Sequence, residues 1–83
     1  WAPGCAPCTK LSPIMESLAG QFAGRVKVGK VDISENFDLA SEFNISSVPR
    51  LLVFHRNPKP RHHLRGLVAE GELVKLLKQV LGA

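Results

Sequence analysis

With 83 residues the chain has room for one domain and a limited core. Hydrophobic residues make up 45% of it and charged residues 22%, a balance that excludes a disordered chain. No apolar run approaches the roughly 20 residues that a membrane span needs. The net charge of +4 is concentrated in one stretch, since Arg50 to Arg65 carries five Lys and Arg, all three histidines and no acid. That stretch reads first as solvated loop and sheet edge, with nucleic acid or an acidic partner as the alternative.

In chain order, Leu11, Ile14, Met15, Leu18 and Phe22 recur at three- and four-residue steps, which predicts a helix from Cys5 to Ala23 stopped by Gly24. Val26, Val28 and Val31 alternate with small or polar residues and predict a strand ending near Ile33. A turn over Ser34, Glu35 and Asn36 leads to a short helix from Phe37 to Phe43, with Asn44 suited to its left-handed end. After the loop Ser46-Ser47-Val48-Pro49, the run Leu51-Leu52-Val53-Phe54 is continuously apolar, as in a strand covered on both faces. Asn57-Pro58 marks a turn, and Arg61 to Leu67 predicts an antiparallel partner strand ending at Gly66. Leu73, Leu76, Leu77, Val80 and Leu81 form the stripe of a last helix from about Ala69 to Leu81. Strands alternating with helices predict an α/β layered domain over residues 1–83. Only Trp1 to Gly4 precede the first helix, where a feeding strand is expected, so the sequence is expected to begin in mid-fold.

The chain has two cysteines, Cys5 and Cys8, spaced Cys-x-x-Cys at a helix start. Unpaired N–H groups and the positive dipole end there favour an anion, and the thiolate is the reactive form of cysteine. Cys5 near the N-cap is the expected attacker, and Cys8, one turn deeper, the resolver of a mixed disulfide. Pro7 fits the first turn, where its missing N–H loses nothing. Two other readings stand beside redox chemistry. Zinc would need two further ligands, and adjacent His62 and His63 do not match zinc spacing. A structural disulfide without catalytic role is the third.

Several strings, in order, resemble the thioredoxin family: Trp1-Ala2-Pro3-Gly4-Cys5-Ala6-Pro7-Cys8, the helix proline Pro13, Lys30-Val31-Asp32, Ile45-Ser46-Ser47-Val48-Pro49, and Gly66 after the last strand. The resemblance implies a thioredoxin-like fold, a mixed β-sheet flanked by helices, whose N-terminal strand, helix and central strand would precede Trp1. It implies a dithiol reductase of protein disulfides, with Cys5 as nucleophile and Cys8 as resolving thiol. No cofactor or metal is expected beyond the Cys5–Cys8 pair. Pro49 would be cis, Val48 would offer backbone groups to an extended substrate, and Pro7 and Lys30 would support the pair. Trp1, Gly4, Ala6, Val48, Pro49 and Gly66 would form the substrate surface. The implied partners are protein disulfides and an electron donor of the thioredoxin reductase type, in the cytoplasm and off the membrane. Without its central strand the chain would expose unpaired edges, and a strand-exchanged homo-oligomer is one expected remedy.

Gly4 stands where the family usually has tryptophan, Ala6 where it has glycine, and Arg50 where a small polar residue is common. The charge of Arg50 beside the docking face would favour acidic substrates. Two other functions stand beside the reductase. One is a non-enzymatic binding module using the same apolar face. The other is nucleic-acid binding through Arg56, Lys59, Arg61 and Arg65, for which no motif is present.

Overall fold

A computed structural model describes residues 1–82 of the chain, so the domain read over 1–83 is described but for its last residue. Its elements are α1 (Ala6–Gln21), α2 (Phe37–Glu42), β1 (Arg50–Val53), β2 (His62–Arg65) and α3 (Glu70–Val80). Each lies within two residues of a predicted element, except that the strand expected from Val26 to Ile33 is absent.

The α1 helix buries Cys8, Leu11, Leu18 and, just past its end, Phe22. Their three-, seven- and four-residue spacing is that of one helix face. Pro13 lies inside the helix and removes one backbone donor there. The amides of Arg25 and Val26 both donate to the Phe22 carbonyl, and Gly24 takes φ +81° to make that turn. The α3 helix returns Leu73 and Val80 to the same interior. Leu11, Leu18, Phe22 and Leu73 form the core, with Leu51 of β1 and Leu64 of β2 packed against it. Polar contacts tie the two helices together. Ser17 Oγ and Gln21 Nε2 donate to Glu70 Oε2 at 3.0 and 2.7 Å, and that carboxylate sits in the first turn of α3, where the dipole favours it.

The α2 helix ends as its sequence predicts. Asn44 adopts φ +56°, Ile45 donates its N–H to the Ala40 carbonyl and Asn44 donates to Ser41. This pair of bonds is the Schellman arrangement. Before the helix, Asp32 Oδ1 accepts from the amide and hydroxyl of Ser34, and Asn36 Nδ2 donates to the Asp32 carbonyl.

β1 and β2 pair antiparallel, with Arg50 opposite Arg65, Leu51 opposite Leu64, Leu52 opposite His63 and Val53 opposite His62. Strand alternation sends Leu51 and Leu64 to the core and Arg50, Leu52, His63 and Arg65 to the other face. The expectation that this strand is covered on both faces is corrected: every residue of β1 is half-buried, and Phe54 beyond it is 46% exposed. The far face has one aromatic cover, Phe43, whose ring meets Phe54 edge-on at 5.7 Å.

The expected three-stranded sheet is likewise corrected to two strands. A strand is a paired object, and among the described residues the backbone of Val26 to Lys30 has no ladder partner. Pairing begins only at its end. The Trp1 amino group donates to the Val31 carbonyl at 2.9 Å, and Ile33 N–H donates back to the Trp1 carbonyl at 2.9 Å. One residue bonded to both neighbours of Asp32 is the pattern of a parallel ladder. An open, mainly apolar cleft of about 950 Å³ separates this segment from β1, lined by Met15, Val26, Val28, Leu51 and Leu77 among others.

Gly66 joins β2 to the approach to α3 at φ +79° and donates its N–H to the Pro49 carbonyl at 3.0 Å. A Cβ would meet open space there, so the cost of adding one is conformational. Gly66→Ala is expected to lower unfolding free energy by roughly 1–2 kcal/mol, measured by urea denaturation.

Candidate active site

The cysteine pair is built by the start of α1. Cys5 is the N-cap residue in extended conformation, at φ −87° and ψ 103°. Its Sγ accepts the Cys8 N–H at 3.2 Å, the bond that a capping side-chain oxygen usually makes. Thr9 N–H and Thr9 Oγ1 both donate to the Cys5 carbonyl, at 3.2 and 3.3 Å. Cys5 N–H closes the preceding turn on the Ala2 carbonyl at 3.3 Å. Cys5 and Cys8 are joined as a disulfide with their Cα atoms 5.2 Å apart. The two sulfurs differ in environment. Cys5 is half-buried, and Ala6 and Pro7 beside it are exposed, whereas Cys8 is only 9% exposed. No acid lies in the first turn of α1 to oppose negative charge on Cys5.

Around this pair the predicted residues are only partly assembled. Trp1, Gly4, Cys8, Val48 and Pro49 line the apolar cleft together, while Cys5, Ala6 and Pro7 lie outside its lining. The Val48–Pro49 bond is cis and Pro49 is buried. Val48 keeps its N–H and C=O out of backbone hydrogen bonds among the described residues. Gly66 does not line the cleft and reaches the group through its bond to the Pro49 carbonyl. Trp1 is 41% exposed, with its backbone fixed by Val31 and Ile33. Gly4 takes φ +80°, a conformation that a tryptophan at this position would adopt only under strain.

Lys30 is exposed, and its Nζ donates to Ser12 Oγ at 3.0 Å. Ser12 is one turn below Cys8 on α1, so this bond ties Lys30 to the helix that carries the pair, through a hydroxyl that sequence reasoning did not single out. His63 was also missed as the partner of Arg50. It lies on the same strand face as Arg65, a signal that requires knowing the hairpin register. Among the described residues no group of three or more His, Cys, Asp and Glu is placed to hold a metal ion. Nor is any helix among the described residues long and apolar enough to cross a membrane.

These features define a protein with a redox-capable cysteine pair at a helix start, beside a cleft that also holds a cis-proline loop. The thioredoxin family model matches residues 1–79. Thioredoxin 1 of Nostoc sp. is 41% identical over 59 residues, covering 71% of this chain and 55% of that protein. A thioredoxin of Staphylococcus saprophyticus is 32% identical over 81 residues, covering 98% of this chain and 77% of its own length. Against Nostoc thioredoxin 1 and thioredoxin C-2 of Corynebacterium nephridii the chain spans about half the relative's length, 55% and 50%. A solved structure titled "Structure of a malarial protein" superposes with a TM-score of 0.87 at 28% identity, over 98% of this chain and 90% of that one. The chain belongs to the thioredoxin family, and its fold is thioredoxin-like.

Proposed function

We propose that this chain is a thiol-disulfide oxidoreductase that reduces protein disulfides through Cys5 and Cys8. The observation that carries this reading is the Cys8 N–H held on Cys5 Sγ at 3.2 Å, at the positive end of α1, with Cys5 outward and Cys8 inward. In the reduced protein that amide and the helix dipole favour a thiolate on Cys5. The thiolate attacks one sulfur of the substrate disulfide, forming a Cys5–substrate disulfide, and the other substrate sulfur leaves and takes a proton. Cys8 then loses its proton and attacks Cys5 Sγ. The second substrate sulfur departs as a thiolate and is protonated. Two electrons pass to the substrate, and the Cys5–Cys8 disulfide is formed.

The pair is thus its own redox centre. Its return to the dithiol takes two electrons from an external donor, for which a partner of the thioredoxin reductase type is proposed. Trp1, Gly4, Ala6, Val48, Pro49 and Gly66 are proposed as the substrate surface, with the unengaged N–H and C=O of Val48 available to an extended peptide. Pro7 and Lys30 are proposed as supports of the pair. A lone cysteine pair with chemistry rather than a framework suits a reducing compartment, and the cytoplasm is the proposed place of action.

The test is turnover of a protein disulfide by the dithiol-reduced protein. Absence of turnover, or turnover equal in Cys5→Ser, would sink the reading. A second expected result follows from the unequal exposure of the sulfurs. With limiting iodoacetamide the reduced protein is alkylated at Cys5 before Cys8, read by peptide mass mapping.

A further inference from the structure

The cationic hairpin is the feature that the redox chemistry leaves unexplained. The first rung of its ladder sets Arg50 directly opposite Arg65, and like charges in that position destabilise a sheet. Neither is neutralised from within the hairpin, since residues 50–65 contain no acid. Arg50 instead donates from Nη1 to His63 Nε2 at 3.1 Å and from Nη2 to Ser47 Oγ at 3.0 Å. A guanidinium only donates, so the imidazole accepts. At the other end of the hairpin, Arg61 Nη1 makes the same kind of pair with His55 Nδ1 at 3.1 Å. An arginine held by neutral acceptors is oriented while it keeps its full charge.

The repelling rung also has a telling position. Arg50 follows Pro49 and Arg65 precedes Gly66, and Pro49 and Gly66 are bonded to each other at 3.0 Å. The two cations therefore border the proposed substrate surface from both strands. Arg50 itself lines the cleft shared by Trp1, Cys8, Val48 and Pro49. A peptide running along Val48 passes beside them, and a carboxylate placed between two guanidinium groups replaces their repulsion with charge-assisted hydrogen bonds.

We propose that Arg50 and Arg65, with Arg50 oriented by His63 and Ser47, select protein disulfides whose flanking residues are acidic. The inference rests on the oxidoreductase reading and adds its substrate class. The placement of the rung beside Pro49 favours a peptide over nucleic acid, because that is where the proposed substrate surface lies.

Two short rhodamine-labelled disulfide peptides, with either Glu or Lys flanking each half-cystine, test this together with their Cys→Ser copies. Binding of the serine copies is read by fluorescence anisotropy, and reduction of the disulfide forms by chromatography. At low salt the acidic peptide is expected to bind and react roughly five- to tenfold better than the basic one, falling below about twofold near 0.5 M salt. Arg50→Gln with Arg65→Gln brings the ratio to about one, and the Lys pair at the same positions keeps most of it. Equal binding of both peptides overturns the proposal, as does a preference that survives the double Gln change. An oligonucleotide of matched charge that binds more tightly than the acidic peptide also overturns it. The serine copies separate the two claims: an acidic preference without any turnover supports the selectivity and counts against the oxidoreductase reading alone.

Discussion

Cys5→Ser is expected to lower protein-disulfide turnover by about a thousandfold or more, because the remaining thiol, Cys8, is one turn deeper and only 9% exposed, out of reach of a substrate disulfide. Serine keeps the capping geometry, since its oxygen accepts the Cys8 N–H as well as sulfur does. Measured against the reduced wild-type protein, stability should therefore change little, and the loss is chemical. Cys8→Ser should fail differently. The outward Cys5 still attacks, but nothing resolves the product, and the protein accumulates as a mixed disulfide with its substrate. Intact mass under non-reducing conditions reads that adduct directly. Loss of activity in Cys8→Ser without any adduct would contradict the assigned order of attack.

The largest effect on stability is expected at Leu18, which is 2% exposed and packs with Leu11, Phe22 and Leu73 at the junction of α1 and α3. Leu18→Ala removes apolar contact and leaves a cavity, at a cost of about 3 kcal/mol. A domain of 83 residues has roughly 4–12 kcal/mol in total. One truncation thus removes a quarter or more of it and lowers the melting temperature by roughly 12–24 °C. Leu39→Ala is the matched control: Leu39 is 42% exposed and outside the core, and its loss is expected to change stability by less than about 1 kcal/mol. Equal losses in the two variants would show that the core is not where the structure places it.

The elements that the sequence made legible carry their own signals. The α1 helix announces itself by the spacing of Leu11, Leu18 and Phe22, and α2 by the left-handed Asn44 that ends it. The Cys5–Cys8 pair is legible because spacing and helix start coincide. What could not be read depends on partners distant in the chain. Val26 and Val28 alternate like a strand, yet the hydrogen bonds that make one begin only at Val31, opposite Trp1. The bond from Lys30 to Ser12 joins two polar residues that no pattern links. The pairing of Arg50 with His63 depends on a register fixed by the loop between β1 and β2, whose Pro58 and Pro60 give no simple turn type.

The packing of α1 on α3 has a consequence for biosynthesis. The helix that presents Cys5 is among the earliest of these residues to leave the ribosome. Leu73, and the Glu70 carboxylate that holds Ser17 and Gln21, emerge among the latest. Until they do, α1 has lost its main packing partner, and an isolated helix of 16 residues is only marginally stable in water. The nascent chain therefore carries two ordinary thiols, without a fixed helix end to activate the first. The proposed redox competence would then arrive late, once α3 packs on α1, and a chain halted before α3 would present its cysteines unprotected to any oxidant it meets.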